Sequence, residues 1–176
     1  MKTTAILWSG LCLALLAGVG LAQDRTGLLG LSYTVGPNFI VGGSDARDAG
    51  AVQPGVGTAL QWGVTKNADV TFSYDYVDAN LRSQAITFGG QWHVAPDKFW
   101  CPIAGAGLGF GKPYSGEGWG HISLKLLGGL EKYLTPDVSL AGTIAYQYIE
   151  GPDPFGSVHA FEPGIRLTFY FDHLRR

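Results

Sequence analysis

From Leu28 onward, apolar side chains recur at every second position in run after run, and almost no stretch shows the 3.6-residue period of an amphipathic helix. Strict alternation places all the apolar groups of a run on one face of an extended chain, so the chain must fold as a sheet protein. The runs fall near residues 27–35, 52–64, 70–78, 83–94, 100–110, 119–133, 138–149 and 160–172, which predicts eight strands. Each run is about as long as the 9 to 11 residues that a tilted, membrane-crossing strand needs.

The connections alternate between tight and loose. Residues 65–69, 95–99 and 135–137 are tight turns built on Lys66-Asn67-Ala68-Asp69, Ala95-Pro96-Asp97-Lys98 and Thr135-Pro136-Asp137. Proline fixes φ and Asx side chains bond their own backbone, which suits a hairpin turn. Looser segments at 36–50, 77–82, 111–118 and 151–158 lie between them. Short connections on one side and long ones on the other are the pattern of an outer-membrane barrel, with the tight turns and both termini on the periplasmic side.

Each run has an oily face and a mixed face. The oily faces carry residues such as Leu60, Trp62, Phe72, Phe88, Leu126, Ile144 and Ile165. The mixed faces hold Gly, Ala, Ser and Thr with Gln61, Asp75, Gln91, His93, His121, Lys125, Glu131, Gln147 and Arg166. Alternation alone does not say which face points inward, and composition decides it. With only 15% charged residues against 46% hydrophobic and 12% aromatic, the chain lacks the Lys- and Glu-rich exterior of a soluble barrel. Small residues suit the cramped lumen of an eight-stranded barrel, so the oily face is expected to meet lipid. Trp62, Trp92, Trp100, Trp119, Tyr133, Tyr146, Tyr148 and Phe171 are expected in the interfacial girdles. Pro54, Pro102 and Pro163 are expected at strand ends or bulges, because a closed barrel has no free edge for a missing amide.

Residues 1–22 read as a cleavable export signal: Lys2, an apolar run at 5–17, then small Gly20 and Ala22 ahead of Gln23. The expected organisation is a signal peptide at 1–22 and one barrel domain at 23–176. Cys101 is then the sole cysteine of the mature chain, which excludes an intramolecular disulfide. The formal net charge of -2 and the lack of a basic block argue against a nucleic-acid partner.

The glycine-alternating segment from Pro102 to Gly111 and the hairpin Gly128-Gly129-Leu130-Glu131-Lys132-Tyr133, Thr135-Pro136-Asp137, Ser139-Leu140 and Tyr146-Gln147-Tyr148 carry a family likeness. On them the chain resembles the outer membrane protein A-like eight-stranded β-barrel family over essentially its whole mature length. The resemblance implies an all-β, up-and-down transmembrane barrel in the cell outer membrane. Lipopolysaccharide and phospholipid would surround it, and the barrel-insertion machinery would be its partner during biogenesis. The chain departs from the family where Asp172 to Arg176 follow Phe171, since members commonly end on an aromatic residue. No counterpart of the peptidoglycan-binding domain of longer relatives is expected.

Several constellations point to chemistry and are outweighed. Gly105, Gly107, Gly109 and Gly111 are followed by no helix that could present its N-terminus to phosphate, so they read as an inward glycine row. His121-Ile122-Ser123 places a base and a hydroxyl on one strand face, as in a lipid-modifying barrel, but it is followed by Leu124 where that family has Asn. The histidines show no ligand spacing. No catalytic residue, cofactor or metal is therefore expected. The sharper expectation is a lumen plugged by a polar network of Asp75, Lys125, Glu162 and Arg166, two carboxylates facing two cations. The function expected is structural or vested in the surface loops, which carry no motif naming a partner. Alternatives are a small-molecule conduit of the outer-membrane protein W type, a lipid-modifying barrel enzyme and a soluble lipocalin-like carrier.

Overall fold

A computed structural model describes residues 24–42, 52–77, 82–114, 117–152 and 156–172. The eight strands are β1 (Leu28–Gly42), β2 (Val52–Thr65), β3 (Ala68–Val77), β4 (Ser83–His93), β5 (Cys101–Lys112), β6 (His121–Thr135), β7 (Val138–Ile149) and β8 (Val158–Asp172). They form one closed antiparallel barrel in sequence order, with β8 returning to β1. The expected signal peptide lies outside the described residues.

The two faces segregate as the composition requires. Side chains exposed on the outer wall include Leu60, Trp62, Phe72, Phe88, Trp92, Ile122, Leu126, Leu130, Ile144 and Ile165. Buried within the barrel are Ser32, Gln61, Asp69, Asp75, Thr87, Gln91, His93, Glu131, Gln147, Arg166 and Thr168. This is the inverse of a soluble barrel, and it removes the lipocalin-like alternative. Gly105, Gly107, Gly109 and Gly111 do lie on the inward face of β5, and the lumen beside them is free of side chains from that strand.

Two strand expectations need correction. β1 continues to Gly42 rather than ending near Val35, and Pro54 and Pro163 lie inside strands rather than at their ends. The reason is how the prolines pair. Pro37 is partnered by Pro54 on β2, and the β1–β8 register passes from Val35↔Ile165 to Phe39↔Phe161, which sets Pro37 opposite Pro163. No paired residues are assigned between those two points of the β1–β8 ladder. A proline has no amide to donate, so two prolines facing each other across a ladder share a single gap instead of making two. Packing closes the seam there: a Cβ on Gly36 would collide with the Pro163 carbonyl.

Tyr133 also departs from expectation. It shares the inward phase of Glu131, is only 6% exposed, and so belongs to the lumen rather than to a girdle.

Candidate functional site

The lumen holds two polar clusters at different heights. The lower one begins outside the ladder, where the chain turns at Gly27 with φ 80 and Leu28 N–H donates to the Arg25 carbonyl at 2.9 Å. Gly27 N–H also donates to the Gly63 carbonyl at 2.8 Å, and a Cβ on Gly63 would collide with the Arg25 carbonyl. The turn thus sends Arg25 back under the barrel, where its side chain is 1% exposed.

Its guanidinium is held on several sides. Nη1 donates to Asp69 Oδ2 on β3 at 2.8 Å and Nη2 to Glu131 Oε2 on β6 at 2.5 Å. The rings of Tyr133 and Tyr170 each lie 5.1 Å from the guanidinium carbon. His93 fills the space between the carboxylates, with Nε2 2.9 Å from Asp69 Oδ2 and Nδ1 3.3 Å from Glu131 Oε2. Ser139 and Tyr170 hydroxyls donate to Glu131 Oε1 at 2.7 and 3.1 Å. Cys101 Sγ stands 4.0 Å from His93 Nδ1, buried at the edge of the cluster. Each of these deeply buried charges is paired, which offsets much of the cost of its burial, while Arg25 Nε and Asp69 Oδ1 have no hydrogen-bond partner among the described residues.

The upper cluster is smaller. Lys125 reaches Asp75 at 2.6 Å, and Glu162 lies 4.0 Å from the same ammonium. Ser73 donates to Asp75 at 3.3 Å and is bonded to Thr87 at 2.6 Å. Of the four residues expected to form one network, Asp75, Lys125 and Glu162 therefore meet. Arg166 does not join them. It crosses the lumen from β8 to donate to Gln91 on β4 at 2.6 Å and lies 3.9 Å from Glu131, which attaches it to the lower cluster. Around the upper cluster is a cavity of about 90 Å³, whose lining runs from Asn38 and Val77 past Asp75, Lys125 and Glu162 down to Gln91 and Arg166. That is room for about six to nine water molecules, each needing roughly 10 to 15 Å³ on this measure.

Sequence reasoning put His93 and Glu131 on the mixed face without assigning them to the network, set Tyr133 in a girdle, and missed Arg25, Asp69 and Tyr170. Asp69 has the same phase as Thr71, Ser73 and Asp75, and that phase was the available signal. Arg25 offered none, because the turn at Gly27 breaks the β1 phase before reaching it. The His121-x-Ser123 pair is engaged by separate partners: Ser123, fully buried, accepts from Gln147 at 2.5 Å, while His121 lies 3.9 Å from Glu117.

No protein-family model matches the chain. No curated protein matches it either. Solved structures do. The N-terminal β-barrel domain of Pseudomonas aeruginosa OprF superposes with a TM-score of 0.61 at 14% identity, covering 85% of this chain and 100% of that one. The chain has the fold of the small outer-membrane barrels. The same fold is seen in Neisserial surface protein A, with a TM-score of 0.53 at 14% identity over 85% of this chain and 99% of that one. Ail, the attachment invasion locus protein of Yersinia pestis, gives 0.53 at 13% identity over 83% and 99%. The outer wall of this chain carries an apolar band of the kind that a transmembrane barrel presents to lipid.

Proposed function

We propose that this chain is an integral protein of the cell outer membrane, exported by a signal at residues 1–22 and inserted by the barrel-insertion machinery. Its role is structural or carried by the loops opposite the tight turns, it is not catalytic, and its lumen is closed by side chains. The observation that carries the closure is the lower cluster. Arg25, Asp69, His93, Glu131 and Arg166 draw together groups from the N-terminal segment, β3, β4, β6 and β8, and all are buried. A conduit would need a continuous path past these ion pairs, and the cross-lumen bond from Arg166 to Gln91 stands in it. Lipopolysaccharide and phospholipid are then its surroundings, and any specific partner is met by the loops.

Orientation and location are tested by labelling. In a Cys101→Ser background, Glu150→Cys beside the β7–β8 loop should react with a membrane-impermeant maleimide on intact cells. Lys66→Cys in the β2–β3 turn should react only after the outer membrane is permeabilised. Both positions are exposed, so accessibility does not bias the comparison. Labelling of position 66 with protection of position 150 would reverse the orientation, and protection of both after permeabilisation would contradict a surface barrel.

A further inference from the structure

Lys132 is the odd residue of the outer wall. It stands on the lipid-facing phase of β6, between outward Leu130 and Leu134, yet it is only 3% exposed. The β4–β5 turn covers it: the ammonium lies 4.1 Å from the Phe99 ring centroid and 5.7 Å from that of Trp100. Phe99 and Trp100 themselves meet edge to face at 5.8 Å. Among the described residues the ammonium has no hydrogen-bond partner. Ring faces attract a cation, but they do not replace the hydrogen bonds that an ammonium loses on burial. Asp97, in the same turn as Phe99, pairs with Lys66 at 2.8 Å. Lys98, next to Phe99 in the chain, is exposed and adds a second positive charge to the same turn.

An apolar trough on the outer wall starts at this spot. It runs from Trp100 past Leu130, Gly142 and Ile144 to Pro163 and Ile165. Gly142 is what leaves it open: a Cβ there would meet nothing within 4 Å, and the same holds for Gly128 beside Ile144. The paired row Pro102, Leu130, Gly142, Ile165 and Val35 begins one residue into β5 and ends seven residues into β1, so the trough climbs away from the tight-turn rim.

We infer that the trough and Lys132 form a binding site for an anionic phospholipid, with an acyl chain along Gly142 and the headgroup phosphate on the Lys132 ammonium. The site requires the rings of Phe99 and Trp100 to move off the ammonium, and because both residues lie outside the ladder in the turn, that displacement would leave strand pairing intact. The trough alone would accept any acyl chain, and the unpartnered cation selects the anionic lipid. This rests on the reading of the chain as a membrane barrel. The rim concerned is the one assigned to the periplasmic leaflet.

The test uses the barrel of residues 23–176 folded into phosphatidylcholine vesicles, with Trp62, Trp92 and Trp119 changed to Phe so that Trp100 reports alone and Lys98 changed to Gln so that it cannot supply the preference. A small fraction of lipid brominated on its acyl chain, with either a phosphatidylglycerol or a phosphatidylcholine head, quenches the fluorescence. One cation near the surface corresponds to about a five-fold preference for the anionic lipid. Lys132→Gln should abolish that preference, Lys132→Arg should keep it, and Gly142→Leu should weaken quenching by both lipids. Equal quenching by the two lipids in the unmodified barrel, or a preference that survives Lys132→Gln, would overturn the inference while leaving the membrane barrel intact. Absence of quenching by either lipid would overturn both. Symmetric vesicles make the result independent of which leaflet faces the rim.

Discussion

Arg25→Ala should lower the stability of the folded barrel in a bilayer by about 3 to 5 kcal/mol, the usual cost of removing one partner from a buried ion pair. The loss leaves Asp69 Oδ2 and Glu131 Oε2 facing each other across His93, with their main counter-charge gone and their hydration already surrendered. It also empties the space between the rings of Tyr133 and Tyr170. Urea titration in vesicles, read by the gel shift between folded and unfolded forms, measures the change. Arg25→Lys keeps the charge but loses the fork that spans two carboxylates, so it should fall between the two. Because Arg25 lies outside every strand, a barrel indifferent to its loss would mean that closure rests on the wall alone. The lower cluster would then be incidental to it.

Leu126→Arg should be nearly as severe, at about 2 to 4 kcal/mol, because it puts a cation on the lipid face near the middle of the wall. Leu126 is 46% exposed on β6 and lies nine residues from the end of that strand. Leu134, 40% exposed at the tight-turn end of the same strand, offers the control. There an arginine reaches the interface, and the cost falls to about 0 to 1 kcal/mol. The same titration gives both values. Equal costs at the two positions would mean that the wall does not sit across a hydrocarbon layer in the way proposed.

The strand count, the tight-and-loose alternation of connections and the direction of the faces were all legible in the sequence, since period-two patterning and scarcity of charge are properties of every strand at once. What could not be read depended on contacts between distant segments. Pro37 ends a strand when seen alone, but opposite Pro54 and Pro163 it sits inside one. Lys125 and Asp75 could be matched by phase and height, whereas Arg166 is level with Glu131 through their common β7 partner Ala141, a register that shows only once the strands are paired. Arg25 enters the site because Gly27 reverses the chain, and neither residue carries a pattern that announces it. Nothing in the sequence singles out Lys132, and its covering by Phe99 and Trp100 comes from how the β4–β5 turn lies against β6.

Closure of the lumen is the claim on which the proposed function stands, and single-channel recording in planar bilayers addresses it directly. The purified, folded barrel, with its folded state checked by the gel shift, is inserted and held under an applied potential. With Arg25, Glu131 and Arg166 bridging opposite walls, the unmodified protein should pass no steady current. A large, stable and ion-selective conductance from that same protein would contradict the plug and move the function to a pore.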